Sequence, residues 1–214
     1  MKKIHNIVAI ALLLTSSAVM AQQESVISFY RQHMNLVNPA YVGVDSMTIA
    51  TSSIRKQWTG IAEAPETQTV SFGTYLGKNL GFGMTVIHDQ TFVEKQTFVS
   101  VDFSYKLKMS ETADMYFGIK AGGNTYNVNP SGLETYNLQS DPALGSINTF
   151  NPNLGVGALY KDGALYVSLS IPRLLNTKRA TNDEGYASIK TDRPHIYLSS
   201  GYDFPLQGNF SSLV

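Results

Sequence analysis

The chain has 214 residues, of which 43% are hydrophobic and only 15% are charged, against roughly 25% charged residues in an average soluble protein. Sixteen basic and sixteen acidic side chains balance, so the net charge gives no support for a nucleic-acid partner. Cysteine is absent, which excludes a disulfide framework, a thiolate metal site, a cysteine nucleophile and a lipid anchor on cysteine.

The first 21 residues have the pattern of a bacterial export signal. Lys2 and Lys3 form a basic start, residues 7–14 are apolar, and Val19-Met20-Ala21 precedes the expected cut. An uncleaved membrane anchor is the alternative, but the apolar stretch is short for one. No later apolar run approaches the ~18 residues that a transmembrane helix needs. We therefore predict a cleaved signal peptide and a mature protein that works beyond the inner membrane.

The rest of the chain alternates between apolar and polar residues with a period of two. In residues 99–107, for example, Val99, Val101 and Phe103 alternate with Ser100 and Asp102, as in a β-strand with one apolar face. About eight such strands are predicted, and no amphipathic helix is. The clearest alternation covers residues 47–58, 69–76, 80–86, 99–107, 115–122, 152–160, 165–171 and 195–204.

The predicted connections alternate in length along the chain. Those near residues 77–79, 109–112, 161–163 and 205–209 are short, those at 59–66, 125–151 and 172–192 are long, and 88–93 is intermediate. Most strands are predicted to be 9–12 residues long, which suits a tilted bilayer crossing of roughly 9–11 residues. The pattern predicts a transmembrane, antiparallel, up-and-down β-barrel of the bacterial outer membrane, with its long loops outside the cell.

A secreted β-sandwich or a lipocalin-like barrel would also show alternation. The polar faces favour the membrane barrel, because glycine, serine and threonine are common there and charges are sparse, as in a barrel lumen. Six tyrosines lie towards strand ends, where an aromatic girdle would sit. They are Tyr75, Tyr105, Tyr116, Tyr160, Tyr166 and Tyr202.

No motif of an enzyme stands out. The sequence has no Gly-x-Ser-x-Gly elbow, Walker loop or His-Glu-x-x-His motif, and the histidines of the mature chain are far apart. His88-Asp89 could be half of an acid–base pair, but a polar strand end explains it more simply. Gly81-x-Gly83 and Gly155-x-Gly157 lie inside strands, so we interpret them as room in the lumen or bends in the strands. We predict no catalytic residue, no metal and no cofactor.

Four motifs in order resemble a known family. Residues 32–43 read Gln-His-Met-Asn-Leu-Val-Asn-Pro-Ala-Tyr-Val-Gly, residues 55–60 read Arg-Lys-Gln-Trp-Thr-Gly, and Ala64-Pro65 precedes Thr67-Gln68-Thr69. A Gly81-Phe82-Gly83 strand that ends in His88-Asp89 follows. The set is similar to the PorP/SprF family of type IX secretion system outer-membrane proteins of Bacteroidetes. Glu63, Gln90 and Thr91 depart from glycines that the family often has there.

The resemblance implies a non-enzymatic barrel that assists the secretion or surface attachment of exported proteins such as adhesins, in the secretion or gliding machinery. Its implied partners are outer-membrane lipid, periplasmic ring proteins and the C-terminal signal of a secreted adhesin. Family members are longer, so the chain is expected to be C-terminally truncated, with about 8–9 of about 14 strands. The expected divisions are a signal peptide (1–21), a periplasmic N-terminal segment (22–45) and an incomplete barrel (46–214).

The candidate structural or partner-contact residues come from the same motifs. They are Asn38, Pro39, Ala40, Gly43, Arg55, Gln57, Trp58 and Pro65. A proline at position 39 ends any helix before it, which makes a plug or latch ahead of the first strand one interpretation. Trp58 could anchor at a membrane interface, with Arg55 reaching the polar rim or the lumen. Two other functions stay open: a porin-like passive channel, and a lipid-active barrel enzyme.

Overall fold

The computed structural model describes residues 33–129, 146–175, 177–178, 191–192 and 194–203. The predicted signal peptide, the first part of the N-terminal segment and the predicted turn at residues 205–209 lie outside the described residues. Among the described helices, none has both the length and the hydrophobicity to cross a membrane.

The described chain is almost entirely β-structure. A one-turn helix, α1 (Met34–Val37), and two 3₁₀ helices (Pro39–Tyr41 and Val44–Ser46) precede the strands. The strands are β1 (Ile49–Lys56), β2 (Glu66–Gly77), β3 (Leu80–Thr91), β4 (Glu94–Lys108), β5 (Ala113–Val128), β6 (Ile147–Asp162), β7 (Leu165–Ile171), β8 (Thr177–Lys178), β9 (Thr191–Asp192) and β10 (Tyr197–Tyr202).

Eight of these strands form one antiparallel sheet in the order β1-β2-β3-β4-β5-β6-β7-β10. Each strand pairs with the next one along the chain, apart from the step over the two-residue pair β8–β9. The predicted all-β, up-and-down arrangement is therefore confirmed, and each of the eight predicted strands has its counterpart. The strands β4, β5 and β6 contain 15, 16 and 16 residues, more than predicted, because their polar ends continue to pair.

The sheet curls strongly into an open half-barrel. In a flat sheet β2 and β7 would lie five strand spacings apart, roughly 24 Å. Yet Ser71 of β2 lies 2.9 Å from His33, and Ser170 of β7 donates a hydrogen bond to the Val37 carbonyl four residues later. Only a curled sheet can bring both strands to the same short segment.

The polar faces of the strands turn inward and the apolar faces turn outward. On the concave face Thr85, Ser100 and Asp102 are buried, whereas on the convex face Ile119 is 61% exposed and Leu198 is 74% exposed. This is the reverse of a soluble sheet, whose apolar face covers the core. Among the described residues, most of the buried apolar side chains form two small clusters between the concave face and the segment of residues 33–46.

The connections define two ends of the half-barrel. The turns of residues 78–79, 109–112 and 163–164 lie at one end, here called the turn end, and residues 57–65, 129–146 and 172–196 connect strands at the other, the loop end. The connection between β3 and β4 contains only Phe92 and Val93, shorter than predicted. Residues 88–91 account for the difference, because they stay paired with residues 94–97 instead of forming a loop.

Candidate functional site

Residues 33–46, here called the inner segment, lie on the concave face and follow it towards the turn end. Strand side chains hold its backbone. Lys120 Nζ of β5 donates to the Asn35 carbonyl at 2.9 Å, Ser170 Oγ of β7 donates to the Val37 carbonyl at 2.7 Å, and Ser104 Oγ of β4 donates to the Val42 carbonyl. The segment therefore attaches to three strands through its carbonyl oxygens, which would otherwise be buried without partners.

The predicted Asn38-Pro39-Ala40 motif forms the middle of this attachment. Helix α1 ends at Val37, and Asn38 is extended, as expected before a proline. The Asn38 side chain then acts twice. Its Oδ1 accepts a hydrogen bond from the Ala40 backbone N–H at 2.9 Å, and its Nδ2 donates to the Ala158 carbonyl of β6 at 3.1 Å. Asn38 both caps the 3₁₀ helix that begins at Pro39 and fastens it to the sheet.

The inner segment approaches the sheet closely because glycines replace side chains beneath it. A Cβ atom at Gly118 would overlap the Ala40 nitrogen, and one at Gly157 would overlap Asn38 Oδ1. A Cβ atom at Gly81 would likewise overlap the Val42 carbonyl oxygen. Gly43 of the inner segment passes close to Gly81 and has a left-handed φ of 71°. The prediction that Gly81-x-Gly83 and Gly155-x-Gly157 make room in the interior is confirmed.

A buried ion pair lies next to the segment. Lys120 Nζ is 2.7 Å from Asp102 Oδ1, and both side chains are almost completely inaccessible. The lysine also lies 3.4 Å from Ser100 Oγ and donates to the Asn35 carbonyl. A buried pair of this kind contributes little net stability, but the loss of one partner leaves an uncompensated charge at a cost of about 3–5 kcal/mol. The pair is best understood as fixing where the inner segment lies.

An ion pair and aromatic packing hold the end of the segment at the turn end. Asp45 pairs with Lys161 of β6. Tyr116 is 2% exposed and packs against Ala40 and Leu159, and Tyr166 packs against the same cluster. These two tyrosines face the interior, so the proposal that they belong to an outer aromatic girdle is wrong. Both lie near strand ends, but on the polar side of the alternation, which Tyr116 shares with Gly118 and Tyr166 shares with Ser168, and that side faces inward.

The remaining predicted residues lie at the loop end, away from the Asn38 motif. Arg55 and Gln57 face inward at the end of β1, and Gln57, with its amide oxygen turned toward the guanidinium, accepts a hydrogen bond from Arg55 Nη1 at 3.0 Å. The Gln57 N–H donates to the Pro65 carbonyl at 2.9 Å, which closes the base of the 57–65 loop. Trp58 is 67% exposed. The eight candidate residues therefore form two groups, one in the inner segment and one at the loop end.

Sequence reasoning missed several residues that hold the segment. Lys120, Asp102, Ser104, Ser170 and Gly118 all lie on the polar faces of predicted strands, but none was singled out. A usable signal existed for the ion pair, because two opposite charges on the sparse polar faces of neighbouring strands are expected to pair. In the structure Asp102 and Lys120 are directly opposite each other.

The described residues do not assemble a catalytic group around His88-Asp89. His88 Nδ1 lies 2.9 Å from Thr97 Oγ1 on the convex side, while Asp89 faces the opposite side and lines the interior. Neighbouring residues of a strand point to opposite faces, so these two side chains cannot act on one substrate atom. Within the described ranges, no group of three or more histidine, aspartate or glutamate residues could hold a metal ion.

Comparison with known proteins gives one match. The family model described as "Type IX secretion system membrane protein PorP/SprF" matches residues 19–213. Neither the curated proteins nor the solved structures include a significant match.

Proposed function

Because the chain belongs to the PorP/SprF family of type IX secretion system membrane proteins, we propose that it is a non-enzymatic outer-membrane barrel of that machinery. In this role it assists the secretion or surface attachment of exported proteins such as adhesins. It reaches the outer membrane after cleavage of the signal peptide (1–21). Its partners are outer-membrane lipid, periplasmic ring proteins and the C-terminal signal of an exported adhesin.

The convex face supports the membrane placement. Along β4 the outward apolar side chains run from Val99 to Leu107, which is roughly 27 Å of strand. At a strand tilt of about 40° this corresponds to about 21 Å along the barrel axis, close to the apolar band of roughly 25 Å in outer-membrane barrels. Phe103 and Phe117 in this band are 46% and 47% exposed. Such a surface is costly in water and suited to lipid.

The inner segment is the observation that carries the adaptor function over the porin-like alternative. A passive channel needs an open polar interior, whereas here residues 33–46 cover the concave face and use its hydroxyl and ammonium groups as hydrogen-bond donors. A barrel whose interior is filled in this way is suited to holding partners at its ends. It is poorly suited to passing solutes.

Two measurements test the function. A clean deletion of the gene is expected to block delivery of a type IX substrate to the cell surface, and normal delivery would contradict the proposal. In planar bilayers the purified protein is expected to show no stable conductance, whereas a variant lacking residues 34–46 is expected to conduct. Steady conductance of the unaltered protein would instead support the porin-like channel.

A further inference from the structure

A polar cavity lies on the convex face at the loop end. It has a volume of about 280 Å³, near the lower end of the roughly 300–1,000 Å³ of small-ligand pockets. Its lining consists of Lys56, Ile61, Glu63, Ala64, Glu66, Gln68, His88 and Gln90. The even-numbered strand positions among these point outward, away from the inner segment, so the cavity is separate from the concave site.

The cavity begins where the apolar convex face ends. Successive outward rows across β2 and β3 change from apolar to polar within one step along the strands. In order toward the loop end these rows are Val70–Val86, Gln68–His88 and Glu66–Gln90. If the apolar rows contact acyl chains, the next two rows lie at the level of lipid headgroups. The floor of the cavity is therefore placed at the boundary between acyl chains and headgroups.

The roof of the cavity is a loop held by hydrogen bonds. The 57–65 loop is closed at its base by the bond from the Gln57 N–H to the Pro65 carbonyl, and it contains a turn in which the Ile61 N–H donates to the Trp58 carbonyl at 3.1 Å. The Phe92 N–H donates to the Glu63 carbonyl at 3.1 Å and ties the loop to the β3–β4 connection. Glu63 is held at a φ of 57°, which is unfavourable for a residue with a side chain.

The charges in the cavity disfavour a phosphate. Lys56 is the only lysine or arginine among the lining residues, and its Nζ lies 3.5 Å from Glu66 Oε2. Gln68 Nε2 donates to Glu66 Oε1 at 2.7 Å. With Glu63 the lining carries one positive and two negative groups, counting histidine as neutral. Carboxylates accept hydrogen bonds from sugar hydroxyl groups, and amides both accept and donate them. An anion would meet net repulsion.

We propose that this cavity binds the uncharged sugar headgroup of a membrane glycolipid, a proposal that rests on the membrane placement proposed above. The acyl chains would follow the apolar rows of β2 and β3, and the sugar ring would enter under the 57–65 loop. The carboxylates of Glu63 and Glu66 accept hydrogen bonds from hydroxyl groups. The amide of Gln90 does both, accepting and donating.

The single tryptophan provides the reporter. Trp58 is the one tryptophan in the chain and lies in the roof loop. The full chain is placed in phosphatidylcholine nanodiscs with increasing mole fractions of a monoglucosyl diacylglycerol, and its fluorescence emission is recorded. Parallel titrations use free glucose, which lacks acyl chains, and phosphatidylglycerol, which lacks the sugar ring. Native mass spectrometry counts the glycolipids that remain bound.

Three variants distinguish binding in the cavity from general contact with lipid. Gln90→Ala removes a hydrogen-bonding group from the floor, and Glu63→Gly removes a carboxylate at a position whose φ suits glycine. Gln96→Ala is the matched control, because Gln96 lies on the neighbouring strand but lines the concave side. We expect saturable binding of one glycolipid, an increase of about tenfold in half-saturating mole fraction for Gln90→Ala and Glu63→Gly, and no change for Gln96→Ala.

Other outcomes overturn the proposal in distinguishable ways. If the chain inserts into nanodiscs but its fluorescence shows no saturable change, the glycolipid site is contradicted and the membrane placement stands. Equal binding of free glucose would point to a soluble sugar, and equal binding of phosphatidylglycerol would contradict selection by the uncharged sugar. Failure to insert into nanodiscs would contradict both this proposal and the membrane placement.

Discussion

Several polar side chains on the concave face contact the backbone of the inner segment. Ser104 and Ser170 each donate to a carbonyl of the inner segment, and Lys120 does the same while it is paired with Asp102. In an interior without a large apolar core, each such group satisfies a polar atom that burial would otherwise penalise by about 1–3 kcal/mol. The specificity of the attachment thus comes from many weak, directed contacts.

His33 is the residue at which pH is expected to act. Its side chain is 1% exposed, and its Nδ1 lies 2.9 Å from both Ser71 Oγ and Thr51 Oγ1. Burial lowers the pKa of His33 below its usual value of 6.5. Above that value the ring is neutral whether the segment is bound or detached, so the contribution of His33 is constant. As the pH falls below it, the detached form takes up a proton that the bound form resists, and the attachment weakens.

The measurement is amide hydrogen exchange across residues 33–46, corrected for the intrinsic effect of pH. Opening is expected to increase by up to about tenfold per pH unit below 6.5. In His33→Gln, which keeps a polar side chain but does not titrate, this dependence is expected to disappear. The same pH dependence in both proteins would show that another group is responsible.

Among the elements, the inner segment depends on the strands beneath it more than on its own helices. Helix α1 has four residues, and helices this short are not stable alone. The conformation of the inner segment is held by Asn38, by contacts of its carbonyl groups with several strands, and by the glycines that let the segment lie close to the sheet. We therefore expect that a side chain added at one of these glycines would weaken the packing of the inner segment against the sheet.

Gly118→Ala tests this dependence. The added Cβ would overlap backbone atoms of Pro39 and Ala40, and overpacking of this kind costs about 1–3 kcal/mol. We expect a reduced free energy of unfolding in urea and faster amide exchange in residues 33–46. Gly123→Ala on the convex side of the same strand is the control, since its Cβ would meet the exposed ring of Phe150, which can move. Its effect is expected to stay within about 0.5 kcal/mol. Equal effects at both sites would contradict the idea that the inner segment needs a glycine at position 118.

The whole molecule has an outward apolar face and an inward polar face. The low fraction of charged residues follows from this arrangement, because neither the apolar band nor the interior covered by the inner segment accommodates many charges. Two charges in the interior, those of Asp102 and Lys120, are paired with each other. This distribution is typical of a barrel in a bilayer and supports the proposed placement.

A charge scan along β4 tests that placement. Phe103→Arg puts a charge in the middle of the convex apolar band and is expected to lower the free energy of unfolding in phospholipid vesicles by about 2–4 kcal/mol. Thr97→Arg places the same side chain in the polar row at the loop end, and its expected cost is about 0–1 kcal/mol. Chemical unfolding in vesicles measures both. Equal costs would mean that the band does not lie in the hydrocarbon.

Much of the fold could be predicted from the sequence because strand geometry is local. A period of two identifies a strand and separates its faces, so the eight strands, their order and the polar interior followed from neighbouring residues. The Gly-x-Gly pairs likewise predicted that there is space on the inner face of the strands. The Asn38-Pro39-Ala40 motif was recognised as important, although its contacts were not predicted.

The tertiary structure alone decided what occupies the interior. Asn38 contacts Ala158 and Lys120 contacts Asn35, pairs far apart in the chain that meet only after the sheet has curled. The same curl brings the Asn38 motif against β5 and β6, away from the candidate residues at the loop end. Alternation depends on the geometry of adjacent residues, whereas these contacts depend on the summed twist and curl of eight strands, which local periodicity does not reveal.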